Sequence, residues 1–138
     1  MLRLLIPVVD HDGATKAARY AASLFAQRCV SEIELLEVLE PVDGGRAAAF
    51  HSRGDLRRHE KQAMLDALIE TRKVLDTAGV PYRSRRVFGH CAKTIAAHAA
   101  QMKSDVVLID ASHFGFFRRL TMFASLWRLT TTPVTMLH

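Results

Sequence analysis

Apolar and polar residues along this chain fall into two alternating periods. Arg3 to Val9 (RLLIPVV) is an almost unbroken apolar run, and Val106 to Ile109 is another, bounded by Asp105 and Asp110. Runs of this kind mark strands covered on both faces, as in a parallel sheet between two helix layers. Pro7 donates no ladder hydrogen bond and is expected near the end of its strand. Glu32 to Glu40 (EIELLEVLE) alternates in part, with Ile33, Leu35 and Val38 set against Glu32, Glu34 and Glu37, and reads as a second strand. Tyr82 to Phe88 (YRSRRVF) is polar enough to predict a strand at the sheet edge, and Pro133 to Leu137 (PVTML) a short last strand.

Between the strands the period changes to that of helices. Ala14, Ala17, Ala18, Ala21, Leu24 and Phe25 predict a helix through Ala26, its small residues suited to close packing on a sheet. Leu56, Ala63, Met64, Ala67, Leu68, Thr71, Val74, Leu75 and Ala78 form one stripe of a long helix over Asp55 to Ala78. Gly79 stands just past its end and Pro81 blocks continuation. Ala92, Ile95, Ala96, Ala99 and Met102 predict a third helix, with His90 near its start and His98 on its face. Leu120, Phe123, Ala124 and Trp127 predict a fourth over Phe116 to Trp127, with Phe123 and Trp127 directed to the core. Asp10 to Gly13 is turn chemistry, and Gly44 to Gly54 has no period and reads as a loop. Strands alternating with helices give one α/β domain over residues 1–138, a doubly wound parallel sheet of five strands with helices on both faces.

Composition narrows the function classes. The 138 residues carry a net charge of +5, but the arginines are dispersed and no recognition-helix or zinc-finger spacing accompanies them, which argues against nucleic acid. No apolar run approaches the ~20 residues of a membrane span. Met1 to Leu4 leads straight into a strand without the pattern of a signal peptide, so the expected location is the cytoplasm. Cys29 and Cys91 form no CxxC pair and are expected as mostly buried thiols.

In open α/β sheets ligands sit beyond the carboxyl ends of the strands, which directs attention to Asp110 through Phe117 (DASHFGFF). Asp110, Ser112 and His113 have the residue types of a hydrolytic triad, yet working triads converge from separate elements rather than one short loop. No ligand pair has diagnostic metal spacing. Phe114, Phe116 and Phe117 are too closely spaced to point inward together, so at least one is expected at the surface or in an interface.

These segments, in this order, resemble the universal stress protein family across the whole chain. The carriers are Leu4 to Asp10 (LLIPVVD), Glu34 to Pro41 (ELLEVLEP), Val87 to Ala99 (VFGHCAKTIAAHA), Ser104 to Asp110 (SDVVLID) and Thr131 to His138 (TTPVTMLH). The resemblance implies a flavodoxin-like, adenine nucleotide α hydrolase-like fold. It also implies a stress-response homodimer in which the last strands, Val134, Thr135, Met136 and Leu137, pair. Family members that bind ATP carry a glycine, two residues, a glycine, nine residues, then a glycine and a serine or threonine. Aligned without gaps from SDVVLID, those positions hold Asp110, His113, Phe123 and Ala124, and none matches. A one-residue shift supplies Ser125 as the hydroxyl and Ala124 as the small residue.

Where ATP binds, the resemblance implies contacts at Asp10, Val38, Gly115 and Ser125. The departures imply the type that does not bind ATP, with no cofactor, metal or catalytic residue. Such a protein is expected to act through protein contacts, with the aromatic, basic loop that holds Phe116 and Phe117 as a partner-contact or dimer-contact surface in the space a nucleotide would use. The alternative is an adenine-nucleotide binder with an altered phosphate loop and weak hydrolysis.

Overall fold

The computed structural model describes residues 1–9, 13–39 and 53–138, the backbone alone over 53–61. Five strands and four helices alternate: β1 (Leu2–Val8), α1 (Thr15–Ala26), β2 (Val30–Leu39), α2 (Arg53–Thr77), β3 (Arg83–Phe88), α3 (Cys91–Gln101), β4 (Val106–Asp110), α4 (Phe116–Leu129) and β5 (Val134–Leu137). The sheet is wholly parallel in the order β3-β2-β1-β4-β5. The order reverses at β1, whose neighbours are β2 and β4, so the crevice expected of this fold lies between the carboxyl ends of β1 and β4.

Two apolar layers fill the faces. Leu4, Ile6, Val8, Ile33, Leu35 and Leu108 pack under α1 and α2, against Ala17, Ala18, Ala21, Leu68 and Leu75. Leu5, Leu36, Val38, Val107 and Ile109 pack under α3 and α4, against Ile95, Ala99, Met122 and Leu126. The alternation of strand side chains therefore serves two cores, which explains the continuous apolar runs of β1 and β4.

Pro7 lies one residue before the end of β1 and pairs in register with Leu36. Asp105 donates its N–H to the Arg3 carbonyl, so by alternation Arg3, Leu5 and Pro7 turn their backbone groups toward β4. The β1–β4 register ends at Leu5↔Val107, before Pro7. A missing donor on that side is where the two strands part at the switch point.

Several expectations change here. Glu34 and Glu37 are buried despite the partial alternation of β2. Glu34 Oε1 lies 3.0 Å from His98 Nε2 of α3 and 3.8 Å from Arg85 Nε. Glu37 Oε2 accepts from Arg86 Nε at 2.9 Å. His98 is thus a buried partner of a strand carboxylate and not a surface histidine. The edge strand β3, which among the described residues pairs with β2 alone, supplies the arginines that balance both glutamates. Phe123 and Trp127 do not enter the core: they are 48% and 77% exposed, and Met122 and Leu126 pack there instead. Cys29 is exposed while Cys91 is buried, and neither is in a disulfide. The predicted loop Gly44 to Gly54 falls mostly outside the described residues, and α2 begins at Arg53.

Candidate functional site

Gly13 and Ala14, which lead into α1, are held against α2. Gly13 adopts φ +73°, where a Cβ would stand 3.1 Å from the Ala67 carbonyl and from Thr71 Oγ1 of α2. Glycine is required there by both conformation and space. The fully buried Thr71 hydroxyl accepts the Ala14 N–H at 3.1 Å and donates to the Ala67 carbonyl at 2.8 Å. Ala14 is the residue that starts α1, and its own side chain offers no cap.

The cap comes from β4. Asp110 is the last residue of that strand, its side chain on the α1 face, and is buried to 6% exposure. Its Oδ2 accepts the Lys16 N–H at 2.9 Å and the Ala17 N–H at 3.3 Å. Its Oδ1 accepts the Ser112 N–H at 3.1 Å and the Ser112 hydroxyl. Both oxygens of the carboxylate are thereby committed, and the positive end of the α1 dipole is neutralised by a side chain. Lys16 Nζ donates to the backbone carbonyl of His138, which ties the end of β5 to the same corner.

The loop from β4 to α4 is bonded both to β5 and within itself. Ala111 donates its N–H to the Leu137 carbonyl at 2.7 Å, and Phe114 donates its N–H to the Ala111 carbonyl at 3.1 Å. Phe114 is buried below the loop, with the Arg118 guanidinium 4.2 Å from its ring centroid. Arg119 Nε donates to the Ala111 carbonyl at 3.2 Å. A phosphate cradle needs loop N–H groups and nearby cations aimed at a common point. Here several of those donors and both arginines are directed at the loop itself.

Of the four candidate nucleotide contacts, Val38, Gly115 and Ser125 lie among the described residues. Gly115 is the exposed residue preceding α4, whereas Ser125 lies within the helix, about 14 Å along its axis from Phe116 at the usual rise per residue. Its hydroxyl is therefore remote from the N–H groups at the helix start. Val38 is buried in the core under α3. Asp10 and His11 lie outside the described residues. Asp110 and Ser112 do touch, but His113 is exposed in the same loop, and the contact is carboxylate to hydroxyl, without a base between them. Among the described residues no three His, Cys, Asp or Glu side chains converge as metal ligands, and no helix is long and apolar enough to cross a membrane. A cavity of about 190 Å³, lined in part by Arg3, Glu32, Glu34, Tyr82 and Arg83, opens at the opposite end of the strands.

The third feature of this edge was only half visible in the sequence. Phe116 and Phe117 are 73% and 80% exposed, and Leu120, Phe123 and Trp127 continue the exposed apolar surface along α4. Beside it, the Pro133 and Leu137 carbonyls accept from Val107 of β4 and from Ala111 just beyond it, so alternation leaves the backbone groups of Val134 and Met136 at the sheet edge, where no described strand pairs with them. Val134, Met136 and Leu137 are half-buried and Thr135 is exposed.

A protein-family model described as the universal stress protein family matches residues 1–136. Among proteins with curated descriptions, none matches the sequence. The fold is similar to that of UspA from Lactobacillus plantarum, with TM-score 0.70 and 20% identity over 99% of this chain and 97% of that one. It is similar to a universal stress protein of Archaeoglobus fulgidus in complex with dAMP, with TM-score 0.63 and 16% identity over 100% and 98% of the two chains. It is also similar to a family protein of Arabidopsis thaliana with AMP bound, with TM-score 0.60 and 17% identity over 97% and 90%.

Proposed function

Because the chain belongs to the universal stress protein family, we propose that it is a cytoplasmic stress-response protein that works through protein contacts, without bound ATP and without catalysis. The observation that carries this reading is the seat of Asp110. A carboxylate with both oxygens occupied caps the helix at the switch-point crevice, where an anionic ligand would meet a negative charge. The buried Phe114 and the inward use of Arg118 and Arg119 support it further. On this reading the open edge at Val134 and Met136 pairs with the same edge of a second copy, giving a homodimer.

A second reading keeps the nucleotide. The solved structures with AMP and dAMP share this fold, and Gly115 and Ser125 remain on α4 for an adenine nucleotide held in a different pose. One experiment separates the two. The purified protein is denatured and its supernatant assayed for nucleotide by mass spectrometry, and the refolded or nucleotide-free protein is titrated with ATP by calorimetry. An empty supernatant and no heat of binding support protein contacts. Nucleotide near one equivalent per chain defeats that reading and favours the second.

A further inference from the structure

We propose that the cavity at the amino ends of β1, β2 and β3 is a binding site for a small apolar α-amino acid. Its volume is about 190 Å³, and it lies at the opposite end of the sheet from Asp110, so it stands whether or not the switch-point crevice takes a nucleotide. An apolar cavity of ~150 Å³ admits benzene, so this one has room for a ligand of roughly six to ten heavy atoms. Four charged side chains line it: Arg3 of β1, Glu32 and Glu34 of β2, and Arg83 of β3. Their charges cancel, which disfavours a simple cation or anion and suits a ligand that carries one charge of each sign.

Two of the four charges serve each other: Arg3 Nε lies 3.5 Å from Glu32 Oε2. The other two keep capacity for a ligand. Val38 and Val87 are in register and both pack on the α3 face, so Glu34 and Arg83, in register four residues earlier, share that face. Glu34 is 9% exposed, and both of its contacts, His98 Nε2 at 3.0 Å and Arg85 Nε at 3.8 Å, are made by Oε1. A carboxylate accepts at both oxygens, and among the described residues Oε2 has no donor. Arg83 is exposed on the edge strand and makes no ion pair or hydrogen bond among the described residues. Neighbouring strands stand ~4.8 Å apart, so a ligand that meets both must hold its positive and negative groups close together. The ammonium and carboxylate of an α-amino acid do so, the ammonium donating to Glu34 and the carboxylate accepting from Arg83. Pro81, Tyr82 and Met102 supply an apolar wall for the side chain, the Tyr82 hydroxyl being engaged by Asp76.

The test is calorimetric titration with L-leucine. The expected result is saturable binding near one equivalent per chain. Binding should be at least ~10-fold weaker for isopentylamine, which lacks the carboxylate, and for isocaproate, which lacks the ammonium. L-Glutamate, whose side chain would set a charge on the apolar wall, should also bind at least ~10-fold more weakly. Arg83→Gln should weaken L-leucine ~10-fold and leave isopentylamine unchanged, a split that a merely structural role would not produce. Glu34→Gln should weaken both. Because Glu34 also holds His98, the fold of that variant is checked by circular dichroism, and Arg83→Gln decides the case if it does not fold. No saturable heat at millimolar L-leucine overturns the proposal. So does either analogue or L-glutamate binding as tightly as L-leucine, or an unchanged L-leucine Kd in Arg83→Gln.

Discussion

Asp110 at the end of β4 caps α1 through Lys16, with 2.9 Å between its Oδ2 and the Lys16 backbone nitrogen. Residues 94 positions apart in sequence thus meet beside the switch point. A buried carboxylate that accepts several N–H groups contributes charge-assisted bonds of about 1.5–3 kcal/mol each, less the cost of burying it. Asp110→Ala should lower stability by about 2–4 kcal/mol, leaving Lys16, Ala17 and Ser112 donors unmet. Urea denaturation measures it, and a change below about 0.5 kcal/mol would remove Asp110 from this role.

Glu34 and His98 form the second buried polar contact, at 3.0 Å between β2 and α3. Removing one partner strands the other in the core, which costs about 3–5 kcal/mol for a charged pair and less for a neutral one. His98→Leu should therefore destabilise the protein by about 2–4 kcal/mol. Glu34→Leu/His98→Leu should recover part of that loss, because neither polar group is then left alone. A double variant as unstable as the sum of the singles would show that the two act independently.

Gly13 is fixed by its backbone and by α2 together. Gly13→Ala forces an L side chain to φ +73° and sets its Cβ against the Ala67 carbonyl. A loss of about 1–3 kcal/mol is expected. At Gly79, also left-handed but with open space around the Cβ position, alanine should cost less. Thermal melts of the two variants compare them directly, and an equal cost would mean that conformation alone, and not contact with α2, governs Gly13.

Tyr82 makes stability depend on pH in the alkaline range. Burial pushes its hydroxyl above the usual 10.0, the hydrogen bond and charge of Asp76 add to this, and Arg72 opposes it more weakly. The neutral phenol is therefore favoured in the folded state. Its contribution to stability is complete below the unfolded value and is lost as pH rises through the folded one. Wild type should lose stability relative to Tyr82→Phe as pH climbs above about 10, read by denaturation at a series of pH values. A difference independent of pH would contradict the assignment.

Element order, the edge position of β3 and the double-sided burial of β1 and β4 were legible because two-faced burial writes continuous apolar runs and helix stripes into the chain. Four features were not. Glu34 and Glu37 look like solvent-facing strand positions, and only the pairing of β2 with β3 brings Arg85 to 3.8 Å from Glu34 and sets Arg86 in register with Glu37. His98 has the spacing of a helix-face residue, and nothing local marks its partner 64 positions away. Phe123 and Trp127 have core composition, yet α4 begins at Phe116 and turns Met122 and Leu126 inward, which places the aromatics outside. The negative charge of Asp110 at the candidate site could be read from sequence. Its engagement with α1 could not, since the contact depends on which face of β4 it occupies.

The reading that this chain works without ATP rests on Asp110 capping α1 beside the switch point and on the engagement of Arg118 and Arg119 with Phe114 and Ala111. Calorimetric titration of the nucleotide-free protein with ATP tests that claim most directly. The account predicts no saturable heat at millimolar ATP. Saturable binding near one ATP per chain, with a micromolar Kd, would contradict it.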